Sequence, residues 1–240
     1  MADEPERDES KEDNTQTEDR RDHRSPVRVR EVYDRIASHF SKTRAYPWPE
    51  VEAFLDDSRA QLVDRRIGVD IGCGNGRHTH PLAETVEYAV GIDLSRALLQ
   101  EADEQGSALA LVQGDAASLP FRDGCADVVV YVATLHHLPD RETRIESLRE
   151  VGRILGPGGR GLVSAWSTEH DRFSSTARDD AGFDTTIDWT LPGGETVPRF
   201  YHIYGPTEFE RDLRAAGLTV ESSVVSSGNC YAEVRPSKTG

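Results

Sequence analysis

DIGCGNG, residues 70–76, carries the chain from a hydrophobic run into a helix start through three glycines. Glycines in such a turn let the backbone pass close to a ligand without side-chain interference. Two further acids stand at comparable points: Asp93 closes YAVGID, and Asp115 closes ALALVQGD. Acids at three successive strand ends beside a glycine turn point to a nucleotide-like ligand at the carboxyl edge of a parallel sheet. There Asp93 can accept both hydroxyls of a ribose, and Asp115 can accept from an adenine amino group.

The details separate two kinds of nucleotide. A dinucleotide fingerprint reads G-x-G-x-x-G, its third glycine allowing tight packing of helix on strand. Here Arg77 stands at that third position, and the last glycine comes one residue early, at Gly76. Asp70 precedes the first glycine, where it can hold an amino group, whereas a pyrophosphate at the helix N-terminus would be repelled by it. S-adenosylmethionine is therefore the expected cofactor and methyl transfer the expected chemistry. Gly72, Gly74, Ala116 and Ala133 are its expected small neighbours, with Tyr33 packing on the cofactor or in the core.

Composition bounds the setting. At 240 residues the chain suits one domain with extensions. No apolar run approaches the roughly 20 residues of a membrane helix, and the charged start does not read as a signal peptide; a cytoplasmic protein is expected. Cys73, Cys125 and Cys230 are isolated, with no C-x-x-C pair, so neither a metal site nor a disulfide frame is expected. There are 43 acids against 28 Lys and Arg, and the net charge is −15. Only Lys11, Lys42 and Lys238 are lysines. That balance suggests adaptation to high salt, where screening shortens to about 3 Å and the acids mainly keep the chain hydrated.

Along the chain, residues 1–19 hold nine acids, two bases and no aromatic residue, and read as a disordered tail. An Arg-rich stretch follows (Arg20, Arg21, Arg24, Arg28, Arg30), giving a tail over 1–27. Val29, Val32, Tyr33, Ile36 and Phe40 recur at helical spacing over about 27–40. Pro49 suits the first turn of a second helix burying Val51, Phe54 and Leu55. Strands are expected at 67–71, 88–93, 109–114, 126–132 and 160–166 with helices between them, an α/β, doubly wound and mostly parallel sheet. In GPGGR, residues 156–160, Pro157 ends the preceding helix and the glycines open a turn. Residues 168–200 show few apolar positions and no clear period, and read as a substrate-side lid or binding loop. Thr207 and Glu210 form a capping box for a helix ending at Gly217. Strands near 218–226 and 229–235 complete seven, the last antiparallel.

The run LPF at 119–121, ADVVVYVATLHHLPD at 126–140 and RILGPGG at 153–159 resemble class I S-adenosylmethionine-dependent methyltransferases. VYDRIASHFSKTRAYPWPEVEAFL (32–55), PRFYHIYGPTEFERDLRAAG (198–217) and GNCYAEVRP (228–236) are more selective. These are similar to the tRNA wobble-uridine carboxymethyl methyltransferases, and the resemblance covers residues 28–236. It implies a Rossmann-like seven-stranded fold and esterification of 5-carboxymethyluridine in the tRNA anticodon loop. It also implies a heterodimer with a small zinc-binding activator protein. The acidic surface and scarce lysine depart from that family.

A carboxylate acceptor is already ionised at neutral pH, with a pKa near 4, so no general base is needed. The site must hold the anion in line with the methyl group, and arginine does this without proton transfer. Arg44, in KTR, is expected at the acceptor carboxylate or at the cofactor's own carboxylate. His136 and His137 follow the fourth strand, with His137 expected to face the acceptor. Arg199 and His202 are further carboxylate candidates, and Trp48, Trp166 and Tyr201 are candidate stacking surfaces for an RNA loop. The competing readings are a small-molecule methyltransferase acting on a quinone-like or carboxylic metabolite, and a non-catalytic cofactor-binding subunit.

Overall fold

Residues 128–132 are all buried, and their side chains divide strictly between two cores. Val128, Val130 and Val132 join Val51, Phe54, Leu55 and Leu82, whereas Val129 and Tyr131 join Leu148, Val151 and Phe209. A strand apolar on both faces must be covered by helices on both, which is the physical basis of a doubly wound sheet. The structure is a computed structural model describing residues 24–62, 66–104, 109–173 and 181–237. The acidic segment 1–19, Arg20 and Arg21 lie outside the described residues.

The elements in chain order are α1 (Pro26–Thr43), α2 (Pro49–Gln61), β1 (Ile67–Ile71), α3 (Thr79–Thr85), β2 (Tyr88–Asp93), α4 (Arg96–Glu104) and β3 (Ala110–Gln113). They continue through β4 (Ala126–Val132), α5 (Arg141–Ile154), β5 (Leu155–Trp166), β6 (Phe183–Thr190) and β7 (Thr196–Ile203). The last are α6 (Pro206–Ala215), β8 (Leu218–Ser226) and β9 (Asn229–Pro236). The main sheet runs β3-β2-β1-β4-β5-β9-β8, with β9 antiparallel to both neighbours and the first five strands parallel. This is the expected seven-stranded, mostly parallel sheet. β5 starts earlier than expected, because Leu155 already pairs with Ala126 before Gly156–Gly159 loop out and Arg160 resumes against Val128.

Three other expectations are corrected. Residues 183–203 are not a loop: β6 and β7 form an antiparallel two-stranded sheet in full register from Phe183↔Ile203 to Thr190↔Thr196. Its turn contains Gly193 and Gly194, both at positive φ. Alternating burial along β6 was hidden by the polar residues of its exposed face. The helix after it starts at Pro206 with Gly205 as its N-cap, so Thr207 lies inside the helix and no capping box forms. Finally, α1 begins at Pro26, with the Ser25 side chain accepting from the Arg28 amide, which moves the domain edge into the stretch read as tail.

α1 ties the chain's beginning to the sheet. Asp34 accepts from the Ser95 hydroxyl at 2.7 Å and from the Ala97 amide at 3.1 Å, at the start of α4. Val32 and Ile36 pack with Trp189 and Val197, so α1 and the β6–β7 hairpin cover the carboxyl edge of the sheet together. On the opposite core, Phe209 is wholly buried against Tyr204. Phe209→Ala is expected to lower unfolding free energy by about 3–5 kcal/mol, measured by urea denaturation.

Candidate active site

The glycine turn is built from the sheet outward. Gly72 donates to the Ile92 carbonyl at 2.7 Å, and a Cβ at Gly72 would come 2.0 Å from the Thr134 hydroxyl. Its φ is +68°, so both space and backbone demand glycine. Gly74, at φ +55°, opens instead toward free space, with no heavy atom nearer than 3.9 Å to a Cβ there. Asp93 clasps this turn: one carboxylate oxygen accepts from the Gly74 amide and the other from Ser95, each at 2.8 Å. Ala133, at φ +57°, bends the chain away at the end of β4. Tyr131 donates to Ser147, which donates to the Ala116 carbonyl at 2.8 Å, fixing the loop that carries Asp115 and Ala116.

These groups line a cavity of about 330 Å³ at the carboxyl edge of the sheet. Gly72, Gly74, Asp93, Asp115, Ala116 and Ala133 form its sheet side, and Tyr33, Arg44, His137 and Arg199 are brought together on its cover. Two expected residues are not on its wall. Asp70 lies buried behind the turn, where its carboxylate accepts from the Thr79 hydroxyl at 2.6 Å. His202 points to the other side of β7, between Asp184 at 2.7 Å and Glu208 at 3.2 Å. The cause is strand alternation: Arg199 and Tyr201 share one face, and His202 takes the other.

His137 is present but already committed. Its Nδ1 meets the Phe200 carbonyl at 2.9 Å, so Nδ1 carries the proton, and its Nε2 accepts from the Tyr33 hydroxyl at 2.7 Å. Burial pushes its pKa down to about 3. It is therefore a neutral ring that lines the cavity and orients Tyr33. His136 accepts at Nδ1 from the Trp166 amide at 3.0 Å, and burial, with His137 and Arg199 adding to it, pushes its pKa well down. His136 and His137 are thus both neutral rings in the cavity wall.

Its cations lie elsewhere. Arg199 is almost fully buried, stacked 4.8 Å from the Trp189 ring and 5.1 Å from Tyr201, and reaches the Tyr33 hydroxyl at 3.4 Å. No ion pair to a carboxylate is formed by it among the described residues, and its Nε has no partner there. Arg44 lies 5.3 Å over the same Trp189 ring, its carbonyl accepting from Asn75. Arg77 stacks on Trp48 at 4.7 Å, and burial and the nearby Arg44 push its pKa down to about 10. Sequence reasoning noted Arg77 only as a missing glycine, and passed over Trp189 because its strand was unrecognised. The signal was there in the alternating FDTTIDWT ahead of the PGG turn.

A family model described as methyltransferase domain matches residues 69–163. A tRNA (carboxymethyluridine(34)-5-O)-methyltransferase of Schizosaccharomyces pombe is 30% identical over 211 residues, covering 80% of this chain and 89% of that protein. The chain belongs to this tRNA methyltransferase family. The Mus musculus relative, tRNA (carboxymethyluridine(34)-5-O)-methyltransferase ALKBH8, is 39% identical over 144 residues, 60% of this chain. The chain spans only 20% of that relative's length. Among solved structures, an S-adenosylmethionine-dependent methyltransferase from Clostridium acetobutylicum shares the fold at TM-score 0.65 and 17% identity, covering 85% of this chain and 99% of its own. A putative methyltransferase solved with the Haloferax volcanii Trm112 methyltransferase activator aligns at TM-score 0.65 and 18% identity, over 88% and 99%.

For this family's cofactor, S-adenosylmethionine, the residues fit. Gly74 leaves room at the backbone, the Asp93 carboxylate stands at the cavity wall, and Arg77 supplies a cation beside the turn. Burial raises the Asp93 pKa to about 6, against the Ser95 and Gly74 amides that pull it down. Hydroxyl donors favour its ionised form, so cofactor affinity should hold above pH 6 and fall roughly tenfold per unit below it. Calorimetric titration between pH 5 and 8 checks this, with Asp93→Asn weak and flat. Burial also raises Asp70, to about 7, so its contribution to stability is present below its unfolded pKa of about 3.8 and lost as pH rises through 7. Asp70→Asn should accordingly raise Tm more at pH 8 than at pH 5.

Proposed function

We propose that the chain transfers a methyl group from S-adenosylmethionine to the carboxylate of 5-carboxymethyluridine at the tRNA wobble position, giving the methyl ester. The observation that carries the reading is Arg199, a buried guanidinium at the cavity with no carboxylate partner among the described residues. An unpaired buried cation is costly, and a ligand carboxylate is the group that completes it. The second support is that His136 and His137, which follow the central strand, are neutral rings held by other groups of the protein. An acceptor hydroxyl, amine or carbon must lose a proton, whereas neutral His137 spends both nitrogens inside the protein. A carboxylate acceptor needs no such help.

Each residue then has a task. Asp93 takes the ribose hydroxyls, Asp115 the adenine amino group, and Arg77 the methionine carboxylate. When bound, the cofactor supplies an electrophilic methyl group on a sulfonium. Arg199 and Arg44, flanking Trp189, grip the acceptor carboxylate and set its oxygen in line with that methyl group. Tyr33, held by His137, steadies Arg199. The hairpin over 183–203 serves as the acceptor-side cover of a methyltransferase domain that runs from α1 to β9, and excludes water from the anion.

Further elements belong to the same reading. The partners are the tRNA anticodon loop, with Trp48, Trp166 and Tyr201 as aromatic surfaces, and a small zinc-binding activator in a heterodimer. The activator has support in the fold neighbour solved in complex with the H. volcanii Trm112 activator. The setting is a high-salt cytoplasm, in keeping with the acid-rich composition; among the described residues no helix is long and apolar enough to cross a membrane.

The test is methyl incorporation into an anticodon stem-loop carrying 5-carboxymethyluridine, with and without the activator. The label should be released by mild alkali, as an ester is and an N- or C-methyl group is not. Arg199→Gln should lower kcat/KM for the RNA roughly 30- to 100-fold, the worth of a buried charge-assisted contact, while cofactor affinity stays within about twofold. Alkali-stable label would overturn the ester.

A further inference from the structure

His202 sits outside the cavity, nearly buried, with a carboxylate at each ring nitrogen. Nδ1 meets Asp184 of β6 at 2.7 Å, and Nε2 meets Glu208 of α6 at 3.2 Å. Both carboxylates are acceptors only, so a ring satisfied on both sides must carry two protons and a positive charge. The second oxygen of Glu208 accepts from the Gly182 amide, and Asp184 also pairs with Arg24 at 2.8 Å. The remaining charged and titratable neighbours are Arg144 of α5, buried neutral His136 and, at 4.6 Å, the Tyr204 ring.

This cluster joins β6 and β7 to α6. β6 and β7 form a sheet of their own, with no ladder to the seven-stranded sheet. Isolated pairing of Ser167 with Tyr204 is the backbone bridge to β5. His202 is the position on β7 that reaches both its partner strand and α6, which packs on the main core. On the opposite face of the same strand, one and three residues away, stand Tyr201 and Arg199 of the cavity. A shift of β7 against α6 would therefore move the acceptor-side groups, though His202, Asp184 and Glu208 do not line the cavity.

We infer that His202 is a positioning residue: as an imidazolium bridging Asp184 and Glu208 it clamps the β6–β7 hairpin to the core and so holds Arg199 and Tyr201 in register with the cofactor site. Loss of its proton leaves one carboxylate facing a ring lone pair, and the clamp opens on that side. The two carboxylates raise the pKa of His202 against the lowering effect of burial. The clamp is thus closed below that pKa and lost as pH rises through it. The inference rests on the proposed acceptor chemistry only for its activity readout.

Glu208→Gln separates a clamp from a merely structural histidine. The amide can donate to a neutral Nε2 while its oxygen still accepts from Gly182, so the clamp survives deprotonation. For wild type, His202 should titrate above the roughly 6.5 of a free histidine when followed by NMR of the ring Cε1 proton. Methyl transfer to the 5-carboxymethyluridine stem-loop should fall roughly tenfold across that pKa, the worth of one charge-assisted hydrogen bond. In Glu208→Gln the titration should move down and the alkaline loss should vanish. His202→Gln should show low, pH-independent transfer with unchanged cofactor affinity; if it does not fold, Glu208→Gln decides. Titration below 6.5, or the same alkaline loss in wild type and Glu208→Gln, overturns the clamp. Absence of any transfer to the RNA counts against the acceptor reading instead. The clamp is then judged by the titration and by amide exchange of residues 183–203, corrected for intrinsic rates. Faster exchange above the pKa in wild type but not in Glu208→Gln upholds it, and equal exchange overturns it.

Discussion

One hydrogen bond, from the Tyr33 hydroxyl to His137 Nε2, ties together three regions that are far apart in sequence. Tyr33 comes from the first helix, His137 from the turn after the central strand, and the imidazole's other nitrogen reaches the Phe200 carbonyl of the hairpin. A neutral ring with a fixed tautomer can do this because each nitrogen has a single role, donor or acceptor. The same tyrosine oxygen then receives Arg199. The cavity's cover is therefore assembled around a neutral histidine whose two ring nitrogens are both engaged within the protein. Its strongly lowered pKa follows from burial and keeps the geometry unchanged through the physiological range.

The electrostatics of the site run opposite to those of the chain. The whole carries a net charge of −15, yet four arginines line the cavity against two carboxylates, Asp93 and Asp115. Aromatic faces allow this. Trp189 and Tyr201 stack on Arg199, and Trp48 stacks on Arg77, so guanidinium groups are held in place without being neutralised. An arginine paired with an aspartate would have little left for a ligand. One held on a ring keeps its hydrogen-bonding edge for a carboxylate.

Much of this was legible along the chain. The main sheet and the glycine turn followed from local patterns, since its central strands are short apolar runs bounded by turns. Arg44, Arg199, Tyr33 and the sheet-side residues were named for the neighbourhood the fold brings together. The misreadings have separate causes. The β6 strand looks like a loop because its exposed face is polar and its buried apolar residues, Ile187 and Trp189, meet partners distant in sequence. The capping box at Thr207 failed because Pro206 fits the first helical position and starts the helix one residue sooner.

What the sequence by itself determined is the cofactor half of the protein. Gly72 has only one workable side chain at its φ and packing, and Asp93 follows a strand whose end is set by hydrophobic pattern. Such constraints act over a few residues and are visible there. The acceptor half was decided only by tertiary structure. Whether a histidine faces a ligand depends on what its two nitrogens meet, and for His137 and His202 those partners lie on other elements. Side-chain type states what a residue can donate or accept, and the packing of distant segments decides which groups are left for a substrate.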